Sequence, residues 1–222
     1  MTERAVEAVL FDVNETLFSM RRLGEVFSEV GLDPAAVPLW FARLLRDGFA
    51  LAAMGGYRPF ADLAADALHG LDPRLEQEQV ARVMAGFRQL PPHPDVEAGL
   101  RLLRDAAVPA VTLTNSSADA VRELLERAGL AGLVQANLSV EQVGGRWKPA
   151  PQPYRAAASQ LGIEPSGLAL VASHPWDCAG AQAAGLRSGW VNRGGAAWPG
   201  VFPAPTAAGK DLPEVLQVLL EG

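Results

Sequence analysis

The spacing of apolar residues changes along the chain, and the changes divide it. Ala8-Val9-Leu10-Phe11 is a short continuous apolar run that ends in Asp12, with Asn14 and Thr16 just beyond. That pattern predicts a buried strand with a loop at its carboxyl end. From there to residue 91 the period is helical. Val37, Trp40, Phe41, Leu44 and Leu45 recur at i, i+3, i+4, i+7 and i+8, one face of a helix. Met54-Gly55-Gly56-Tyr57-Arg58-Pro59 breaks it. Phe60, Leu63, Ala64, Ala67 and Leu68 resume the pattern, and so do Val80, Val83, Met84 and Phe87. Pro91-Pro92-His93-Pro94 closes the block, because neither proline nor the residue before it favours helix.

Beyond it, helix and strand alternate. Helices are expected over about 95–107, 121–128, 151–161, 178–185 and 212–220, and strands over 110–113, 133–136, 168–171 and 189–192. Strands separated by helices predict an α/β fold with a doubly wound parallel sheet, interrupted by the helical stretch of about 20–91. The chain has no internal repeat and no low-complexity segment.

Composition narrows the function classes. Of 222 residues 49% are hydrophobic and 20% charged, which excludes a disordered chain. The formal net charge is −6 and no Lys/Arg block exists, so neither nucleic acid nor an anionic membrane is an expected partner. No run of 18 apolar residues is present. Cys178 is the single cysteine, so no disulfide forms within the chain. The first residues carry two acids and run into a strand, which does not read as a signal peptide, and the expected location is the cytoplasm.

In doubly wound sheets, ligands bind at the carboxyl ends of the strands. Asp12, Asn14 and Thr16 follow the first strand, Thr114, Asn115 and Ser116 the second, and Ser173, His174 and Asp177 the fourth, while Lys148 lies in a loop before the helix at 151. A carboxylate beside a cation is a usable nucleophile. Lys148 can hold Asp12 ionised, Thr114, Asn115 and loop amides can hold an anion, and Asp177 can fix Lys148 or orient a water. The set fits attack by Asp12, a covalent ester, and hydrolysis.

Four ordered motifs now resemble a known family. They are Phe11-Asp12-Val13-Asn14-Glu15-Thr16-Leu17, Thr114-Asn115-Ser116, Lys148-Pro149-Ala150-Pro151-Gln152-Pro153-Tyr154 and Ala172-Ser173-His174-Pro175-Trp176-Asp177. In this order and spacing they resemble the haloacid dehalogenase (HAD) superfamily. The Trp176-Asp177 pair, Trp190-Val191-Asn192-Arg193 and the insert residues Leu39-Trp40, Leu45, Met54, Tyr57 and Phe60 resemble its type II 2-haloacid dehalogenases. The resemblance implies a Rossmann-like core of residues 1–19 and 92–222 with an α-helical cap of 20–91. It also implies a hydrolase that displaces halide from a short 2-haloacid without metal or other cofactor. Asp12 would be the nucleophile, with Thr16, Lys148, Asp177 and His174 in catalysis. Asn14, Phe41, Thr114, Asn115, Ser116, Ser173 and Trp176 would meet substrate or leaving group. The related enzymes are often homodimers, and the apolar insert helices are a candidate interface.

Some positions depart from the family. Phosphatases of the superfamily carry an aspartate general acid at position 14 and an acidic Mg²⁺ ligand at 173, where this chain has Asn14 and Ser173. Asp12 and Asp177 alone are a thin Mg²⁺ set. The dehalogenases carry an aromatic residue at 14, an arginine at 41, a serine at 172 and an asparagine at 174; here these are Asn14, Phe41, Ala172 and His174. Arg43 lies about 200° around the helix from position 41 and is no stand-in. A Mg²⁺-dependent phosphatase and a non-catalytic small-acid-binding protein remain the alternatives.

Each residue also has a plainer role. Asp177 can N-cap the helix it opens, Asn115 can be a turn residue, and His174 can be satisfied by a loop carbonyl rather than serve as a base. Phe41 can be a packed wall, Trp40 and Trp176 can fill the cap–core junction, and Arg43 and Arg58 can be solvated. Cys178 is expected as a small buried thiol and His93 as a hinge residue between prolines.

Overall fold

A computed structural model describes residues 6–221. Its sheet has six parallel strands in the order β3-β2-β1-β4-β5-β6, the doubly wound arrangement the alternation predicts. They are β1 (Ala8–Phe11), β2 (Ala110–Thr114), β3 (Ala136–Ser139), β4 (Leu168–Ala172), β5 (Arg187–Val191) and β6 (Ala207–Gly209). β1 pairs with both β2 (Val9 with Ala110) and β4 (Val9 with Ala169), so Asp12 emerges at the middle of the carboxyl edge.

The inner strands read as continuous apolar runs because both faces are covered. Alternate residues serve opposite sides. Val9, Phe11, Ala169 and Val171 join the core under α5 (Val96–Asp105), α6 (Ala118–Arg127) and α9 (Leu212–Glu221). Ala8, Leu10, Leu168 and Leu170 join the core under α7 (Pro151–Leu161) and α8 (Pro175–Ala183).

Four further helices, α1 (Leu23–Glu29), α2 (Val37–Ala53), α3 (Phe60–His69) and α4 (Gln77–Phe87), lie between β1 and β2. Their apolar stripes meet around Trp40, which is fully buried, meets Phe27 and Phe87 edge-on and donates its indole N–H to Ala64 O at 2.9 Å. The chain enters and leaves this insert at one place. Ser19 N–H donates to Pro91 O at 2.8 Å and His93 N–H to Leu17 O at 2.9 Å.

Four expectations fail locally. The third strand is Ala136–Ser139 rather than 133–136, and Ala131–Leu133 is a 3₁₀ turn. Leu133 and Val134 are apolar because they pack on the core from the connection, while Asn137 is tolerated in the strand because its Oδ1 accepts the Thr112 hydroxyl at 3.0 Å. β6 carries no apolar run and pairs only along the edge, so no periodicity marked it. The strand expected at 189–192 is Arg187–Val191. α8 opens at Pro175, whose fixed φ suits the first helical position, rather than at 178. His174 is therefore the N-cap, and Asp177 sits inside the first turn instead of capping it. Among the described residues no helix is long and apolar enough to cross a membrane.

Candidate functional site

Asp12 beyond β1, Asp177 beyond β4 and Lys148 from the connection between β3 and α7 meet in one buried cluster at the carboxyl edge of the sheet. Lys148 and Asp177 are fully buried and Asp12 is 5% exposed. The Lys148 ammonium uses its three donors on Asp12 Oδ1 at 3.0 Å, Asp177 Oδ2 at 2.6 Å and Leu113 O at 2.8 Å. Asp12 Oδ2 accepts the Thr16 hydroxyl at 2.7 Å. The Thr16 oxygen in turn accepts Ser173 N–H at 2.9 Å. Because the Thr16 proton is committed to Asp12, the Ser173 hydroxyl at 3.2 Å is the donor to Thr16. Asp177 Oδ1 accepts the Tyr154 hydroxyl at 2.5 Å.

These contacts split the two carboxylates. Burial alone pushes Asp12 up, but the Lys148 charge, then His174 and the Thr16 hydroxyl, outweigh it and hold the carboxyl below its usual range. Burial and the Asp12 charge push Asp177 up against the pull of Lys148. Burial opposes the charge on Lys148, yet the two carboxylates raise its pKa. Asp12 is thus the member held ionised, as a carboxylate nucleophile requires. Burial drives Tyr154 well above the normal phenol range, so it remains a donor to Asp177.

The loops hold Lys148 from both sides. Asn115 Oδ1 accepts Lys148 N–H at 2.9 Å and its Nδ2 donates to Lys148 O at 3.4 Å. Neighbouring Trp147 is fixed by the insert: its indole N–H donates to Arg58 O at 2.9 Å and its ring stacks on Phe60, 5.8 Å between centroids and 9° between planes. Gly48 of α2 lies against the same indole, where a Cβ would approach to 2.4 Å.

A metal does not fit this cluster. All four carboxylate oxygens of Asp12 and Asp177 already accept hydrogen bonds, and the Lys148 ammonium lies between them where a cation would sit. Among the described residues no group of three or more His, Cys, Asp and Glu can hold a metal ion.

The remaining sequence candidates fall into three sets. His174, Trp176 and Phe41 form an aromatic wall. His174 stacks on Trp176 (5.3 Å, 16°) and lies 6.0 Å from Phe41. Its Nε2 is 3.1 Å from Asn14 O, which can only accept, so Nε2 is the donor. Nε2 is also 3.8 Å from Asp12 Oδ2. His174 lines an apolar cleft of about 650 Å³ together with Val37, Pro38, Phe41 and Leu45 of α2. Asn115 and Ser116 instead line a pocket of about 80 Å³ against α3 and α4. Thr114 and Ser116 bond each other, hydroxyl to hydroxyl at 2.9 Å, and Thr114 Oγ1 accepts Ser116 N–H at 3.1 Å. Asn14 Oδ1 is buried without a partner among the described residues.

The plainer roles hold for several others. Arg43 donates to Gly70 O on the surface, and Arg58 is exposed. Cys178 is buried, and burial pushes its thiol far up rather than down. Two groups escaped sequence reasoning. Tyr154 lies within the third motif, but nothing in the spacing pairs it with Asp177. Trp147 and Gly48 meet across about a hundred residues of chain, and no periodicity links them.

Comparison with known proteins agrees with this geometry. Haloacetate dehalogenase H-2 of Moraxella sp. (strain B) is 26% identical over 208 residues, 91% of this chain and 92% of its own. (S)-2-haloacid dehalogenase H-109 of Pseudomonas putida is 27% identical over 222 residues, 97% and 99% of the two chains. The crystal structure of the L-2-haloacid dehalogenase RSc1362 superposes with a TM-score of 0.90 at 29% identity, covering 97% of this chain and 99% of that one. The profile of the haloacid dehalogenase-like hydrolases matches residues 6–185, and the chain belongs to that family of hydrolases.

Proposed function

We propose that this hydrolase releases halide from a short 2-haloacid, without metal, through an ester on Asp12. The observation that carries the proposal is the Asp12 carboxylate, held ionised by Lys148 and Thr16 in a cluster with no room for Mg²⁺. The similarity to dehalogenases over nearly the whole chain supports the substrate class.

Asp12 attacks the carbon bearing the halogen, an Asp12–carbon bond forms, and the halide leaves with the bonding electrons. Lys148 balances the charge of Asp12 before attack and of Asp177 throughout. Asn115 and the amides of its loop, with Thr114 and Ser116 shaping that loop, receive the leaving ion or the substrate carboxylate. Phe41, Trp176, Asn14 and Ser173 bound the space around the reacting carbon. Water then attacks the ester carbonyl while His174 Nδ1 takes one of its protons, the ester C–O bond breaks, His174 returns the proton to the departing alkoxide to give the 2-hydroxy acid, and the Asp12 carboxyl loses the second proton to solvent. Asp177 and Tyr154 hold Lys148 in register during both steps. The helices of 20–91 act as a cap on the core of 1–19 and 92–222, keeping bulk water from the ester.

The test is halide release from a panel of short 2-haloacids in metal-free buffer, wild type beside Asp12→Asn. Release by wild type, lowered at least about 10³-fold in the variant, is expected for loss of a nucleophile. No release from any acid, or equal release by both proteins, overturns the proposal.

A further inference from the structure

The two connections that join the insert to the sheet border an open cavity of about 290 Å³, separate from the buried cluster. Arg21, Arg193 and Lys210 face it, with Ser19 and His93 between them, and no carboxylate lines it. That is an unusual wall for a chain of net charge −6. Arg21 and Lys210 are exposed, and neither side chain has an acidic partner among the described residues. Arg193 is mostly buried. It spends Nε–H and one Nη2–H on Thr16 O, at 3.2 and 2.7 Å, and one Nη1–H on Asp95 at 2.8 Å. A guanidinium has five N–H groups, so two remain. Asp95 pairs with Arg193, and its second oxygen accepts Leu212 N–H at 2.8 Å, so Arg21 and Lys210 are the two cations left without a carboxylate. Glu214 is turned to the Lys210 backbone N–H.

His93 reports the local field. Burial, then the Arg193 charge and more weakly Arg21, hold its imidazole down to about 4, against Asp95 and the Glu15 carbonyl. Two exposed cations gathered beside the paired Arg193 repel one another unless an anion joins them.

We propose that this cavity binds a small oxyanion, inorganic phosphate or a carboxylate, at the crossing between insert and sheet. Guanidinium groups suit oxyanions because their parallel N–H donors match paired oxygens. Ser19 adds a hydroxyl from the outgoing connection, while Arg193 and Lys210 belong to the sheet side. A bound oxyanion therefore ties the two parts together. It also braces the nucleophile loop, since Arg193 carries Thr16 O and His93 Nε2 donates to Glu15 O at 3.1 Å.

Arg21 also borders the larger cleft, so Lys210, which lines only the cavity, is the discriminating residue. The experiment is thermal unfolding with inorganic phosphate titrated against sodium chloride at constant ionic strength. It uses wild type, Asp12→Asn, Lys210→Ala and Lys210→Arg. Saturating phosphate is expected to raise Tm by several degrees in wild type and equally in Asp12→Asn. Lys210→Ala is expected to weaken binding roughly tenfold and Lys210→Arg to restore it. A parallel acetate titration separates phosphate from carboxylate as the preferred ion. Three results overturn the proposal. They are no rise in wild type, a Lys210→Ala titration equal to wild type, and a response lost in Asp12→Asn, which would put the ion in the buried cluster.

Discussion

The charge cluster and the apolar cleft lie on either side of His174 and are built on opposite rules. In the cluster, every oxygen of Asp12 and Asp177 and every proton of Lys148 has a partner. Asp12 follows β1 directly and Asp177 sits in the first turn of α8 just beyond β4, so the pairing of β1 with β4 sets their separation, and Lys148 reaches them from the connection between β3 and α7. The cleft is walled by side chains of α2 on one side and by the His174 ring on the other. Packing fixes the α2 side and one hydrogen bond, His174 Nε2 to Asn14 O, fixes the other, while Asn14 Oδ1 has no partner among the described residues. The difference teaches where chemistry and selectivity are stored. Buried charge must be fully paired and so admits few substitutions. An apolar wall accepts any side chains of suitable volume. Accordingly Asp12, Lys148 and Asp177 make up the paired cluster, while of the positions that depart from the family Phe41 and His174 line the cleft and Ala172 is buried in the core of β4.

Breaking the pairing in the cluster has the largest expected effect. Lys148→Met leaves two buried carboxylates facing each other, and about 3–5 kcal/mol of stability is expected to vanish at neutral pH. Urea unfolding measures it; a loss below 1 kcal/mol would mean that water already enters the cluster. His174→Gln probes the shared border. Ester formation should persist while its hydrolysis slows about 10²–10³-fold, so that a covalent adduct on Asp12 accumulates and is visible by mass spectrometry. Full turnover with no adduct would remove His174 from the water step.

Gly48→Ala tests whether the helical wall supports the charge cluster. The new Cβ would meet the Trp147 ring at 2.4 to 2.8 Å, and the cost is expected at about 1–3 kcal/mol. Because Trp147 precedes Lys148, kcat should fall more than the stability loss explains. An unchanged kcat would mean that the two regions are mechanically independent.

The smallest effect concerns the crossing. His93 has its pKa lowered from 6.5 to about 4 in the fold, which favours the neutral ring. Its contribution is therefore full above about pH 6.5 and is lost as pH falls toward 4. His93 is only half-buried, so about 1 kcal/mol is expected after screening by solvent. His93→Gln should flatten the Tm difference between pH 7 and pH 5, and an unaltered difference would assign the acid sensitivity elsewhere.

The sequence by itself determined the alternation of strands and helices, the helical insert and the four loops that carry the cluster. These depend on local signals: an apolar run that ends in a polar residue, a helical stripe, a proline-rich stop. It also marked Asp12, Lys148 and Asp177, because residues at the ends of parallel strands meet whatever lies between them in the chain. Where local signals mislead, the sequence misled too. Leu133-Val134 looks like a strand because packing on the core and pairing in a sheet both demand apolar residues, and only the partner strand tells them apart. The assignment of Tyr154 to Asp177, of Trp147 to Gly48 and of Asn115 to the Lys148 backbone was decided by tertiary structure alone. Each joins residues from separate elements whose distance is set by how helices and loops stack on the sheet. The same holds for the split between two chemically identical carboxylates: Asp12 is held ionised and Asp177 raised by burial and by which neighbours donate to each, and no spacing in the chain encodes a neighbour's charge.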